Sequence, residues 1–427
     1  MATLSATDEK AYKRAKKFYA KSLRNRPLEP VGAGWTSFRT TEKKFKARFP
    51  PPDLSHVLDL ALLDTSRSDE ILNGGWKGNS TAFPYERLDV RLDDEPSKFA
   101  YVFEAHPGFV YLPNLLSHQK QRDLVRWSLK DHARYPNETN LDTHYILPEE
   151  GLWNAHLRSR DPNSDVPDVQ PKASAHGIGL SAYTPSAAGP RQLISNVPAS
   201  TDNIGSLTLN AAAQPPMAPS PTAAATSPSK LLPKLRWANI GWFYHWGTKQ
   251  YDFTRERIDV APEIKSLCRS IVRAVDWRRV FGGVHFENDA EDWETWSETY
   301  EPDAGIVNFY QEKDSLMAHV DRSEICASTP LVSISIGSAA IFLLGGTTRD
   351  REPTPILLRS GDVMIMSGPE CRRAYHGVPR ILEGTNPPQL SLDVDDGGWE
   401  PYYTYIRTAR INLNVRQVFP KDFKPAW

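Results

Sequence analysis

The sequence predicts an α+β chain whose C-terminal third is an all-β barrel or double sheet of short strands. Three observations carry this. Residues 304–419 break into apolar or alternating runs, GIVNFYQ, LMAHVD, LVSISIG, AAIFLLGG, PILLRS, GDVMIMSG, AYHGVPRI and TYIRTARINLNVRQVF. Turn signals such as GG, SGD and SGP separate several of them, at the spacing of a closed or facing sheet. Upstream, SHQKQRDLVRWSLKDH and APEIKSLCRSIVRAVD carry apolar residues at helical spacing.

In chain order, residues 1–50 read as a basic helical arm followed by loop, with eight Lys or Arg and no acid between Lys10 and Arg26. Residues 51–105 mix short apolar runs with Pro and Gly and predict no clear element. HPGFVYLPNLLS reads as a strand entering a turn. Ser117 then suits a helix N-cap, with Leu124, Trp127 and Leu129 as buried candidates. From 157 to 230 the composition shifts to Ala, Pro, Ser and Thr, as in NAAAQPPMAPSPTAAATSPSK. Such a stretch lacks the apolar surface to offset its ordering entropy and is expected to be a disordered insertion. Aromatic density jumps at 235 in LRWANIGWFYHWGTKQYDF, and a helix is expected over 261–276.

With 427 residues, 40% hydrophobic and 24% charged, the chain can bury a sizeable core. A net charge of -1 neither favours nor excludes a polyanionic partner, whereas the N-terminal basic run favours one. Three cysteines (Cys268, Cys326, Cys371) are too few and too scattered for a disulfide framework or zinc cluster. With no apolar signal core, they suggest a reducing compartment, the nucleus or cytoplasm; the basic arm keeps a mitochondrial presequence as the alternative. No apolar run approaches the roughly 20 residues of a membrane helix, and a monomer is expected.

The chemistry begins at MAHVDRSE. On an extended chain His319 and Asp321 project from one face, the spacing for two ligands of one metal. Alone, HxD is common and usually means nothing. His376, 57 residues after His319 on another expected strand, completes a two-histidine, one-carboxylate set. That donor set suits Fe(II) with open positions for a bidentate co-substrate and dioxygen, whereas a structural zinc would normally take a fourth ligand. In RINLNVR, Ile411, Leu413 and Val415 share one face, and Arg410, Asn412, Asn414 and Arg416 the other. By itself that polar face could be a solvent-facing one. Beside HxD…H it reads as a clamp for a dicarboxylate, because guanidinium groups grip carboxylates by paired hydrogen bonds.

Together, NFY (Asn308 to Tyr310), HVD (His319 to Asp321), His376 and RINLNVR (Arg410 to Arg416) resemble the AlkB family of Fe(II)- and 2-oxoglutarate-dependent dioxygenases. Looser upstream matches, PGFVYLPNLLS, NLDTHY and LRWANIGWFYHW, look closest to the branch of eukaryotic homologues numbered one. The resemblance implies a double-stranded β-helix, or jelly roll, with supporting helices and a nucleotide-recognition lid. It divides the chain into the N-terminal part of that domain (51–156), the insertion (157–230), lid and support helix (231–303), and dioxygenase core (304–420). It implies Fe(II) on His319, Asp321 and His376, and 2-oxoglutarate held by Asn308, Tyr310, Arg410, Asn412 and Arg416, with O2 as oxidant. Arg410, helped by Tyr310, would meet the distal carboxylate, and Arg416 and Asn308 the keto-acid end. Trp242 matches the position whose ring stacks on a flipped base, against the plain alternative of a lid-core aromatic. Tyr251, Ser323 and Arg372 are further substrate candidates, while His144 and His245 read as structural.

The implied activity is oxidative demethylation of bases such as 1-methyladenine or 6-methyladenine in single-stranded or looped RNA, tRNA or DNA. Ser323 stands where the bacterial members carry an acid, and Pro355 where they use an arginine, so the base stays open. A protein substrate such as a histone is the alternative. A binding protein with a dead site is a third, which the intact triad and arginines oppose.

Overall fold

The computed structural model describes residue 17 and residues 34–92, 97–172, 197–213, 218–246, 248–282, 293–392, 398–420 and 423. Its strands, in chain order, are β1 (Glu86–Val90), β2 (Lys98–Val102), β3 (Phe109–Leu112), β4 (Trp237–Gly241), β5 (Tyr244–His245), β6 (Gln250–Tyr251) and β7 (Ala304–Gln311). There follow β8 (Leu316–His319), β9 (Leu331–Gly337), β10 (Ala340–Leu344), β11 (Thr354–Leu358), β12 (Val363–Met366), β13 (His376–Ile381) and β14 (Ala409–Arg416). Eight form an antiparallel sheet in the order β1-β2-β3-β12-β9-β14-β7-β4; four form a smaller one, β11-β10-β13-β8. These are the facing sheets of the expected jelly roll, and β5 and β6 make a short hairpin beside them.

Alternation along β14 sets the layers. Ile411, Leu413 and Val415 turn outward onto the supporting helices, packing with Leu124, Ile264, Cys268, Trp277 and Trp296 in one large core. Arg410 and Asn412 face inward. Their register partners on β7 are Tyr310 and Asn308, and residues directly opposite in an antiparallel pair share a face. Between the sheets lies a second core of Tyr111, Phe342, Leu344, Ile356, Met364 and Met366. At Gly241, φ is +70° and any Cβ would overlap the Asp303 carbonyl oxygen. Only glycine lets β4 turn there into the lid hairpin.

Several elements match the sequence reading. Ser117 caps the helix His118–Arg126 by accepting from Lys120 N, and the helix Pro262–Arg273 lies within 261–276. Others correct it. The first three residues of TYIRTARINLNVRQVF instead end a helix, Glu400–Ile406, because Tyr402, Tyr405 and Ile406 bury one helical face. In the expected loop after the basic arm, Ser37–Lys46 is a helix that lays Phe38 and Phe45 on the outer face of the small sheet. The arm itself, apart from Lys17, lies outside the described residues.

The insertion is not uniformly without structure. Residues 173–196 and 214–217 lie outside the described residues, but Ile204–Ala213 is a helix. Ala199, Ile204 and Leu207 join Tyr251, Phe253 and Phe419 in a small lid core. The Ala199 N–H donates to the Arg322 carbonyl at 2.8 Å, and Val169 bridges to Thr226. Sparse apolar residues suffice here because a preformed aromatic surface receives them, which average composition conceals.

Candidate metal and co-substrate site

Strands β8 and β13 are neighbours, and their register sets His319 directly opposite His376. The two rings lie 4.4 Å apart between centroids. Asp321, two residues on, returns to the same side, with Oδ1 3.6 Å from His319 Nε2. One ligand atom from each of the three falls within 4.8 Å of the others. Local hydrogen bonds fix the tautomers. His319 Nδ1 lies 3.0 Å from the Met317 carbonyl, and His376 Nδ1 3.0 Å from that of Ala374. A carbonyl can only accept, so Nδ1 carries the proton and each Nε2 presents a lone pair to the shared centre.

Charge states agree. Burial, then His319, pushes His376 down to about 4, so it is a neutral ligand at neutral pH. Burial alone would raise Asp321; Arg416, followed by His376 and His319, outweighs it and holds the carboxyl well below its ordinary range.

Arg416 Nη1 donates to Asp321 Oδ2 at 2.8 Å and to Glu324 Oε1 at 2.5 Å, and Nη2 to Asn414 Oδ1 at 2.9 Å. Arg416, expected at the keto-acid end of 2-oxoglutarate, thus braces Asp321 of the candidate cluster directly. Glu324, buried, was not singled out in the sequence, although an acid three positions after Asp321 was there to be read.

Arg410 is the contrasting case. Its Nη2 donates to Ser335 Oγ at 2.7 Å and its Nη1 to the Ser338 carbonyl at 3.4 Å, while Nε is buried without a partner. Among the described residues no carboxylate pairs with it. Burial pushes its pKa down to about 10, opposed by Tyr310 beside it. The Tyr310 phenol is itself raised by burial to about 12, so it stays a neutral donor. A buried cation without an acid suits an incoming anion. Asn412 spends its amide N–H groups on Ser333 Oγ and the Ile334 carbonyl, at 2.8 and 3.0 Å. Asn308 sits half-buried between Asn412 and Trp237 in the register.

The substrate candidates fare unevenly. Trp242 is half-buried, edge-on to Phe253 (5.1 Å) and Phe419 (5.6 Å). Three other candidates are engaged by the fold itself. Tyr251 is 2% exposed and stacks on Phe253. Ser323 donates to the Lys249 carbonyl at 2.7 Å, tying the lid hairpin to the metal loop. Arg372 is 1% exposed, with Nε on the Thr329 carbonyl. His144 and His245 accept at Nδ1 from the Ser220 and Thr248 N–H groups.

Sequence reasoning missed Trp237. It lies opposite Asn308 on the inward face of β4 and stacks on Trp246, 5.0 Å between centroids. Period-two alternation through Trp237, Asn239 and Gly241 was the available signal.

Two imidazoles and one carboxylate converge on one side of a centre, leaving further coordination positions open, and so fit Fe(II). With an acid-free guanidinium on the inner face of the same jelly roll, they define an Fe(II)- and 2-oxoglutarate-dependent dioxygenase. Comparison with known proteins narrows this. The chain belongs to the 2OG-Fe(II) oxygenase superfamily, whose family profile matches residues 201–416. It is 28% identical to the DNA N(6)-methyladenine demethylase ALKBH1A of Arabidopsis thaliana, over 90% of this chain and 96% of that one. It is 30% identical to the mouse nucleic acid dioxygenase ALKBH1, over 78% of this chain and 70% of that protein. The tRNA demethylase abh1 of Schizosaccharomyces pombe is 27% identical over 90% of this chain and 96% of its own.

Proposed function

We propose that this dioxygenase acts, as a monomer, on N-methylated bases in single-stranded or looped nucleic acid and removes their methyl groups. The observation that carries the reading is a metal cluster opening beside aromatic residues. The His319 side chain is 37% exposed, Ser323 two residues after Asp321 ties that loop to the aromatic lid hairpin, and Trp237, Trp242 and Trp246 of the lid are half-buried, with Trp237 opposite Asn308 in the register. Planar rings suit a base taken out of its stack. The names of the relatives point the same way.

In this reading His319, Asp321 and His376 hold Fe(II) through two Nε2 atoms and one carboxylate oxygen. Bound there, iron and 2-oxoglutarate couple reduction of dioxygen to decarboxylation of the keto acid and hydroxylation of the methyl group, which leaves as formaldehyde. The chain's own residues set the geometry. Arg410, oriented by Ser335 Oγ, meets the distal carboxylate with Tyr310 donating beside it. Asn308 and the remaining acceptor of Asn412 bound the co-substrate along the sheet. Arg416 fixes Asp321 Oδ2 and leaves Oδ1 turned toward the histidines. Trp242, or the stacked Trp237 and Trp246, gives the base its face.

The test is formaldehyde and succinate release by the full chain with Fe(II) and 2-oxoglutarate. Oligonucleotides carrying 1-methyladenine, 6-methyladenine or 3-methylcytosine are compared with methyl-lysine peptides. Turnover on at least one oligonucleotide and none on peptides is expected; the reverse pattern overturns the reading.

A further inference from the structure

A groove of about 300 Å³ opens where Met317 and Ala318 of the edge strand β8 meet Trp35, Arg39 and Arg349. It shares strand β8 with the cluster: the Met317 carbonyl is the partner of His319 Nδ1, while Phe38 and Ala318 line the groove from the outer face of the small sheet. Two kinds of side chain line it. Trp35 is 40% exposed and Met317 38%, although large apolar groups are usually buried. The others are cationic. Arg39 and Arg349 line the groove, the Lys43 ammonium lies 5.8 Å from the Trp35 ring, and Lys46 Nζ is 3.4 Å from Met317 Sδ.

Between Gly34 and Arg48 five Lys or Arg oppose a single acid, Glu42. Glu42 is buried, held by Arg39 and by the Ala318 N–H at 2.8 Å, so little of its charge reaches solvent. Asp350 and Glu352, exposed after Arg349, are the nearest acids in sequence on that loop. The eight Lys and Arg between Lys10 and Arg26 precede the groove in the chain and carry the same sign. An exposed indole among cations offers a stacking surface within a field that attracts phosphates, the combination that binds single strands without reading their sequence. An acidic peptide would use the cations and leave the indole unexplained.

We infer that this groove holds the single-stranded segment flanking the methylated base, with one flanking base on Trp35 and its phosphates near Arg39, Lys43 and Arg349. The inference rests on the nucleic-acid reading above and adds to it the path of the strand. It predicts that substrate length matters, because a very short oligonucleotide fills the catalytic pocket without reaching the groove.

The test measures fluorescence anisotropy of a labelled single strand of about 20 nucleotides with the full chain. Trp35→Ala should weaken binding about tenfold, the size of one lost base stack. Lys43→Ala should reduce the slope of log Kd against log salt by about 0.7, one phosphate contact. Neither should change kcat on a methylated trinucleotide. Circular dichroism checks folding, and Lys43→Ala, at a partly exposed position, keeps the test open should Trp35→Ala unfold. Wild-type affinity and salt slope in both variants, with the wild type active on the long strand, overturn the groove alone. A wild type inactive on every oligonucleotide and active on peptides overturns the substrate class and the groove together.

Discussion

Arg410 and Arg416 stand six residues apart on one face of one strand, yet their surroundings are opposite. Arg416 is paired with Asp321 and Glu324, and its pKa is raised well above the ordinary value: burial would lower it, and Asp321 foremost reverses that. Arg410 has serine and carbonyl oxygens for company, and burial lowers its pKa. The first charge is already matched by the protein and braces Asp321 of the candidate cluster. The second is left for a ligand to match. A repeated residue type in one strand thus marks two different jobs, and the nearby acids tell them apart.

That contrast can be broken at either end. Arg410→Ala should have the largest effect, raising the KM for 2-oxoglutarate about 100- to 1,000-fold, the cost of removing one partner from a buried charged pair. Metal binding should be unchanged. Initial rates against 2-oxoglutarate, beside Mn(II) titration, check both halves, and an unaltered KM would remove Arg410 from the clamp. Arg416→Ala should do the converse, weakening metal affinity about 10- to 100-fold because the brace on Asp321 is lost. Isothermal titration with Mn(II) reads this; a change confined to the 2-oxoglutarate KM would contradict the brace.

Asp303 gives the smallest effect and sharpens the comparison. It lies near the Arg416 end, its N–H bonded to the Arg416 carbonyl, but its Oδ1 accepts from the Val418 N–H at 2.8 Å. Burial, opposed by the Val418 and Phe419 N–H groups, raises its carboxyl from 3.8 to about 7. The folded chain therefore keeps a proton that the unfolded chain releases near 3.8. Between those two values stability falls as pH rises, by at most about 1.4 kcal/mol per pH unit. Asp303→Asn should flatten the dependence, seen as a smaller difference in Tm between about pH 5 and pH 8. An unchanged difference would place the carboxyl's titration elsewhere.

Much of this site was legible because a strand's period is two. His319, Asp321 and His376, and the inward face Arg410, Asn412 and Arg416, needed only alternation and donor chemistry. What alternation cannot carry is the third dimension. Glu324 matters through Arg416, ninety-two positions along the chain, and Ser335 through Arg410, on the next strand. Ser323 and Arg372 likewise meet partners far along the chain, the Lys249 and Thr329 carbonyls, that alternation does not reveal. At 404–406, aromatic and β-branched residues suggested an extension of the strand, while Pro401 and the spacing of Tyr402, Tyr405 and Ile406 recorded the helix that packing selects. The helix Ile204–Ala213 escaped because an average over 157–230 erased its few anchors.

Strand β8 closes one edge of the four-stranded sheet and is hydrogen-bonded to a single neighbour, β13. One histidine of the cluster rides on each of these two strands, so an ion gripped by both is a rivet across the margin most prone to fray. Occupancy and local cohesion thereby become one quantity. Amide exchange along Leu316–His319 should slow as the rivet is set, making this margin a gauge of loading that needs no turnover at all.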